Sequence, residues 1–129
     1  MPRIYLDSAP VIYLVEQATP YAIQVSTQIQ PDDWIVVSQL TRMECRVLPI
    51  RLGDQARLGD FDKFFADYVD EIVPISEEVI DKATEIRAIY RFSPMDSLHL
   101  AAAVVSGCEV FLTNDLRLAN FSEVVVRKL

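Results

Sequence analysis

Short apolar segments alternate with longer helical patterns along the whole chain, and this alternation limits the fold more than any other feature of the sequence. It is typical of a parallel sheet with helices packed on both faces. We therefore predict an α/β fold, a three-layer α/β/α sandwich around a central parallel sheet of about five strands. The strand-like segments read RIYL, WIVVS, EIVPI, EVFLT and EVVVR.

Two of the helical segments between these runs have recognisable starts. Pro20 suits the first turn of one helix, and Ser76, followed by two glutamates, suits the N-terminus of another. Apolar residues recur at helical spacing in the second of these, which predicts one buried face. The residues of that face are Val79, Ala83, Ile86 and Tyr90.

Length and composition indicate one globular domain that spans residues 1–129. Hydrophobic residues make up 51% of the chain and charged residues 24%, which is the profile of a folded protein. No segment has the pattern of a signal peptide or of a membrane span. Cys45 and Cys108 lack the spacing of a metal site, so we expect buried thiols in a cytoplasmic protein.

The net charge of −7 argues against a broad electrostatic grip on nucleic acid, because phosphate contacts depend on lysine and arginine. It does not exclude a nuclease with a local basic patch. Arg42, Arg46, Arg51 and Arg57 fall close together in the sequence, and Arg42 and Arg46 are the candidates for RNA contacts. The alternative, that these arginines only solvate helix faces, fits the sequence equally well.

The segment SPMDSLHLAAAVVSG, residues 93–107, predicts a buried helix with an acid in its first turn. Ser93 can cap this helix, Pro94 suits its first turn, and Gly107 suits its end. Asp96 has two interpretations, a capping-box acid or a ligand in a functional site. Taken alone, Asp96 is better explained as a capping residue.

Two further acids follow strand-like segments. Asp7 ends IYLD, and Asp115 comes shortly after VFLT. In open α/β sheets, ligands bind at the carboxyl ends of the strands, near the point where the strand order reverses. We therefore expect both acids at a binding edge, although each could instead cap the helix that follows it.

Glu44 is the fourth candidate acid. Its neighbours on the predicted helix face are apolar, so its carboxylate should need a partner such as a metal or an arginine. The alternative is that Glu44 reaches solvent at the edge of the helix. The neighbours are Leu40, Val47 and Leu48.

Four acids at one sheet edge would repel one another and raise their own pKa values. No lysine accompanies them in the sequence, which favours a bound cation. Oxygen ligands select Mg²⁺ or Mn²⁺ over zinc, and such ions promote phosphodiester hydrolysis by activating water and neutralising charge on the phosphate. The residues therefore predict metal-assisted hydrolysis of a phosphodiester.

The segments that carry these acids resemble the motifs of PIN-domain ribonucleases of the VapC toxin type. The four segments read IYLDSAPVIYLVE, TRMECRV, SPMDSLHLAAA and VFLTNDLRL, and they follow the family's order over the whole chain. The resemblance implies a catalytic quartet of Asp7, Glu44, Asp96 and Asp115 around Mg²⁺ or Mn²⁺. It implies that Asp7 and Asp96 bind the metal directly, with the other two acids acting directly or through water.

The same resemblance implies that Ser8, Thr113 and Asn114 support the metal ligands or orient the substrate. It further implies an endoribonuclease that forms homodimers and is held inactive by a cognate antitoxin. Ala9 and Pro10 stand where many members of the family have a polar residue, which removes one supporting hydrogen bond near the first acid.

Two other functions are consistent with parts of the sequence. One is a PIN fold with a silent pocket that works only by binding a partner, and intact acids favour hydrolysis over this alternative. The other is a signalling receiver domain, but the third strand-like segment ends VPIS without a phosphoacceptor acid. The three lysines, Lys63, Lys82 and Lys128, are also misplaced for a receiver domain.

His99 and the aromatic residues are better explained by structure than by chemistry. A lone histidine on an apolar helix is usually a hydrogen-bonded structural residue, so we do not assign it as a general base. The aromatic residues of one helix share a single face, which favours a core, dimer or antitoxin surface over a base-stacking platform. That face comprises Phe61, Phe64, Phe65 and Tyr68, and Trp34 lies outside it.

Overall fold

A computed structural model describes residues 2–129 and contains five β-strands, β1 (Arg3–Leu6), β2 (Trp34–Ser38), β3 (Glu71–Val73), β4 (Val110–Thr113) and β5 (Val125–Lys128). The strands form one sheet in the order β3-β2-β1-β4-β5, and every neighbouring pair is parallel. The five strands coincide with the five apolar segments of the sequence. The predicted fold class is therefore confirmed.

Two α-helices lie between β1 and β2, between β2 and β3, and between β3 and β4, because parallel strands need crossover connections. None of these helices is both long and apolar enough to cross a membrane, as far as residues 2–129 show. The helices are α1 (Ser8–Glu16), α2 (Tyr21–Thr27), α3 (Gln39–Leu52), α4 (Gln55–Asp67), α5 (Glu77–Tyr90) and α6 (Pro94–Val105), and a 3₁₀ turn follows β4 at Leu116–Leu118.

The helix boundaries lie where local chemistry places them. The side chain of Ser76 accepts a hydrogen bond from the Val79 amide, and that of Ser93 accepts one from the Asp96 amide, so each serine caps its helix. Gly53 ends α3 with φ 67°, a left-handed conformation that glycine adopts without a Cβ clash. These caps fix where α5 and α6 begin. The Ser93 cap therefore fixes the position of Asp96 in the first turn of α6.

Alternate residues of the central strands face two separate cores, because side chains of a strand point to opposite faces. Tyr5 of β1 lies in the core under α5 and α6, whereas its neighbours Ile4 and Leu6 lie in the core under α1, α3 and α4. Strands that are buried on both faces have continuous apolar sequences, so a short apolar run and not an alternating pattern marks them in the chain. Phe61 and Phe65 of α4 are buried in the second core, which supports the structural interpretation of that aromatic face.

We predict that Leu100→Ala lowers the free energy of unfolding by about 2–5 kcal/mol, because Leu100 is fully buried and its loss leaves a cavity. Leu52→Ala is the matched control, since Leu52 is 68% exposed. Its effect should stay within about 0.5 kcal/mol. Urea unfolding followed by circular dichroism measures both variants, and equal losses would contradict the assignment of the core.

Candidate active site

The strand order reverses at β1, whose chain neighbour β2 lies on one side and β4 on the other. Asp7 directly follows β1, and Thr113 is the last residue of β4, so both lie at the carboxyl edge of the sheet. The Thr113 hydroxyl donates to Asp7 Oδ2 over 2.9 Å, and the Ser8 amide donates to Asp7 Oδ1 over 2.9 Å. Asp7 therefore caps α1 and also lies at the switch point where ligands bind in folds of this type.

Asp7 is held in a largely buried position, with 18% of its side chain exposed. Burial raises the pKa of its carboxyl group because the charged form loses hydration. His99, whose Nε2 atom lies 3.8 Å from Asp7 Oδ1, opposes this rise, as do the hydrogen bonds from Ser8 and Thr113. Glu44 makes only the smallest contribution to raising the pKa, so burial and not acid–acid repulsion dominates.

Glu44 reaches the same pocket from α3. Its Oε1 atom accepts a hydrogen bond from the Ser8 hydroxyl over 2.6 Å and lies 2.6 Å from His99 Nε2. The hydrogen bond with His99 is the main reason that the pKa of Glu44 is lowered. The predicted need of Glu44 for a partner is met here by a histidine and a serine, whereas a metal partner stays a prediction.

The helix face around Glu44 also differs from the prediction. Leu40 is buried, but Val47 is 44% exposed and Leu48 is 53% exposed. Apolar spacing does not distinguish a residue of the core from one on an outward surface, and α3 carries both kinds. Glu44 lies at the border between them, with 33% of its side chain exposed.

A buried series of polar contacts extends from Glu44 into the interior of the protein. His99 is 2% exposed, and its Nδ1 atom lies 2.7 Å from the hydroxyl of Tyr5, which donates to Ser38 Oγ over 2.8 Å. Both ring nitrogens of His99 thus have partners, in agreement with its interpretation as a hydrogen-bonded structural residue. The sequence did not show that one of those partners is Glu44, and only the i+3 spacing from Asp96 placed His99 near the site.

Asp115 and Asp96 form the other side of the pocket, with Arg117 between them. The guanidinium of Arg117 binds Asp115 through two nitrogens, the closer at 2.6 Å, and lies 3.9 Å from Asp96 Oδ2. This contact lowers the pKa of Asp115. The expectation that all four acids would have raised pKa values is wrong, since Arg117 and His99 supply positive or donating groups that a search for lysine overlooks.

Arg117 was missed in the sequence although it stands two residues after Asp115. Asp115 also caps the 3₁₀ turn that follows β4, where its Oδ1 atom accepts from the Arg117 amide over 3.0 Å. That turn folds the arginine back onto the acid. The sequence signal that could have found Arg117 is an acid at the start of a turn, followed two residues later by an arginine.

The other predicted residues lie partly outside the acid pocket. Asn114 donates from Nδ2 to the Tyr13 hydroxyl over 2.9 Å and contacts no acid. Arg42 donates to Gln39 Oε1 over 2.9 Å. Arg46 pairs with Asp62 of α4 at 2.9 Å, which engages the guanidinium within the protein.

The four acids are linked through short contacts. Thr113 joins Asp7 to Asp115, because its hydroxyl oxygen also accepts from the Asp115 amide over 3.0 Å. Ser8 and His99 connect Asp7 to Glu44. Arg117 connects Asp115 to Asp96. The structure therefore brings all four predicted acids to one edge of the sheet.

The oxygen donors of this pocket fit a hard divalent cation in kind. Both contacts of Glu44 use Oε1, which leaves Oε2 for another ligand, and the Asp96 side chain is 25% exposed. Mg²⁺ commonly takes one or two carboxylates and keeps several waters. Over residues 2–129, no group of three acidic, histidine or cysteine side chains is already arranged so that it could hold a metal ion.

A protein-family model described as the PIN domain matches residues 4–124 of the chain. DNA-bound VapBC from Salmonella typhimurium contains a chain that is 18% identical, with a TM-score of 0.80 over 99% of this chain and 98% of that one. VapBC2 from Rickettsia felis, bound to a promoter DNA fragment, is 13% identical with a TM-score of 0.78 over 98% of each chain. VapC20 from Mycobacterium tuberculosis, described as a sarcin-ricin loop cleaving toxin, is 16% identical with a TM-score of 0.70 over 94% of this chain and 98% of that one. These solved structures share the fold, and no curated protein matches the sequence.

Neighbouring acids with opposite pKa shifts should respond oppositely to substitution. Asp7→Asn should raise the free energy of unfolding at neutral pH in EDTA, because it removes a charge from a buried position. The gain should shrink as pH falls through the raised pKa of Asp7 and vanish once the carboxyl is protonated in both folded and unfolded chains. Glu44→Gln should lower the free energy of unfolding at neutral pH, because the charged form gains from His99.

The loss in Glu44→Gln should disappear as pH falls through the lowered pKa of Glu44, where the wild-type contact is itself lost. Urea unfolding of both variants across a pH series measures the two trends. Changes of the same sign at neutral pH would show that the two carboxyl groups do not occupy the opposed environments described above.

Proposed function

The chain belongs to the PIN-domain family, and on this premise we propose that it is a metal-dependent endoribonuclease that acts as the toxin of a toxin–antitoxin pair. The observation that carries the proposal is the meeting of four acids at the strand switch point. These acids come from four separate segments of the chain, and nothing in the packing of the two cores requires charged groups there. The family match also removes the receiver-domain alternative.

In the proposed reaction, Asp7 and Asp96 would hold Mg²⁺ or Mn²⁺, and Glu44 and Asp115 would complete the pocket directly or through water. A bound ion of this kind supplies an activated water and neutralises charge on the phosphate and the leaving oxygen. The raised pKa of Asp7 supports this assignment, because a buried carboxylate gains most from a nearby cation.

The chain's own residues prepare the pocket for that ion. Ser8 and Thr113 each donate a hydroxyl hydrogen bond to an acid, which fixes the carboxylate orientation before any ligand arrives. Arg117 is 80% exposed and paired with Asp115, so its guanidinium can turn from the acid to an RNA phosphate without leaving a buried charge unpaired. We propose that Arg117 shares the phosphate-binding role with Arg42 and Arg46.

We predict that the purified protein cuts RNA in Mg²⁺ or Mn²⁺ and not in EDTA. Asp96→Asn and Asp7→Asn should each lower the cleavage rate by about a hundredfold or more, because loss of one transition-state charge contact has effects of that order. A mixed panel of transfer, ribosomal and messenger RNA resolved on gels measures the rate.

Asp81→Asn is the matched control, since Asp81 is an exposed acid of α5 outside the pocket. It should cut RNA at the wild-type rate. Undiminished cutting by both pocket variants would contradict the catalytic assignment. An intact protein that binds metal weakly or not at all and cuts no RNA in the panel would favour the silent-pocket alternative.

A partner protein is supported by the surface of α3. It carries exposed apolar side chains, and two of them, Leu48 and Leu52, line a groove of about 360 Å³ between α1, α3 and α4. Exposed apolar patches of this kind mark protein interaction sites, and Glu44 lies at the edge of the groove. A partner seated there would cover one side of the acid pocket. The large apolar residues of α3 that are exposed are Met43, Val47, Leu48, Ile50 and Leu52.

Association into a homodimer is part of the same proposal. A chain with a net charge of −7 has few cations to attract RNA, and a second copy would double the arginines available around one substrate. The solved structures of the same fold are described as VapBC and toxin–antitoxin complexes, which supports an antitoxin as the inhibitory partner.

We predict that expression of the chain alone arrests bacterial growth, and that co-expression of the protein encoded beside it restores growth. Leu48→Glu should keep the RNA cleavage rate but lose this rescue, because it places a charge in the apolar groove. Ile89→Glu is the control, since Ile89 is 72% exposed on α5, away from the groove. Growth curves and co-purification measure the effect, and equal rescue of wild type and Leu48→Glu would place the partner elsewhere.

A further inference from the structure

Two tyrosines stack at the border of the acid pocket. The rings of Tyr13 in α1 and Tyr21 in α2 have centroids 4.8 Å apart and planes 23° apart. Tyr21 is 42% exposed, whereas Val25 in the same short helix is fully buried. Val25 thus anchors α2 to the second core, and the ring of Tyr21 remains at the surface.

This pair is tied directly to the loop that carries the site. The Tyr13 hydroxyl accepts a hydrogen bond from Asn114 Nδ2 over 2.9 Å. Asn114 stands between Thr113, which donates to Asp7, and Asp115, which pairs with Arg117. The stacked rings therefore continue outward from the acid pocket, one residue away from two of its members.

An aromatic ring in this position matches one class of ligand. Unpaired bases stack on tyrosine, and such contacts are tolerant of sequence because every base presents a π-face. Tyr13 covers one face of Tyr21 and holds the ring in place, so little side-chain entropy is lost when a base covers the other face. The carboxylates of the acid pocket offer the bases no comparable stacking contact.

We propose that Tyr21, supported by Tyr13, is a stacking platform for an unpaired nucleobase next to the phosphate that is cut. The inference rests on the proposed ribonuclease function and assigns to Tyr21 the contact with a base of the substrate beside the cleavage site. The Asn114 contact gives the platform a fixed position relative to Asp7 and Asp115. Asn114, predicted from the sequence to orient substrate, would do so through Tyr13.

A second stacked pair elsewhere in the protein provides the contrast. Tyr68 stacks on Phe64 at 4.8 Å and 24° and is 41% exposed, so its geometry equals that of the first pair. However, Tyr68 borders a pocket that also contains Asp33 and Asp70, on the opposite edge of the sheet from the acid quartet. The Tyr68 pair therefore lies at the edge of the sheet opposite to the phosphate that would be cut.

The test compares binding of two fluorescein-labelled probes, a short oligoadenylate and a fully abasic ribose-phosphate strand of equal length. Anisotropy titrations use the Asp96→Asn background, so that the RNA remains intact. Tyr21→Ala should weaken oligoadenylate binding by roughly five- to a hundredfold, the range of one base–aromatic stack, and leave abasic binding unchanged. Tyr21→Trp should bind like the parent, and Tyr68→Ala is the matched control.

Thermal unfolding of each variant confirms that the fold is retained. Wild-type affinity of Tyr21→Ala for oligoadenylate, in a protein that still cuts RNA, would overturn the platform alone. So would equal weakening of the abasic strand, or a loss of antitoxin binding without any loss of RNA affinity. If the parent binds neither probe and the wild type cuts no RNA, both the platform and the ribonuclease function fall.

Discussion

The hydrogen bond from the Thr113 hydroxyl to Asp7 joins the ends of the two central strands, and the rest of the acid pocket is arranged around it. It exists because β1 and β4 are adjacent in a sheet whose order reverses there. With Asp7 fixed, Ser8 is placed to bind Glu44. Thr113 also fixes the start of the turn that carries Asp115. Two hydroxyl groups thus set the geometry of three carboxylates.

The acids of this pocket are not equivalent in charge balance. Glu44 has His99 and Asp115 has Arg117, and both have lowered pKa values as a result. Asp7 forms no salt bridge with a lysine or arginine within the described part of the chain, and burial raises its pKa. The unbalanced charge therefore lies at the deepest acid. The electrostatics of the pocket therefore favour a cation beside Asp7 more than beside Glu44 or Asp115, whose charges already have partners.

Much of this arrangement followed from the sequence, for physical reasons. Apolar runs located the strands because a parallel sheet is buried on both faces, and the parallel rule then placed Asp7 and Asp115 at one edge. The contact of Glu44 with His99, 55 residues away, was not predictable, since periodicity says nothing about which helices meet. The exposure of Leu48 was not predictable either, because the sequence pattern of an apolar residue is the same in a core and on an outward surface.

The order of the chain has a consequence for the moment at which the site first exists. Asp7 and Thr113 are separated by 106 residues, and Tyr5 and His99 by 94. Contacts between such distant residues form late in folding, and during synthesis they cannot form until β4 has left the ribosome. A nascent chain therefore holds an incomplete acid pocket until Asp115 and the turn after β4 have been made. The proposed ribonuclease would therefore be inactive towards RNA until all four acids have been made and brought together.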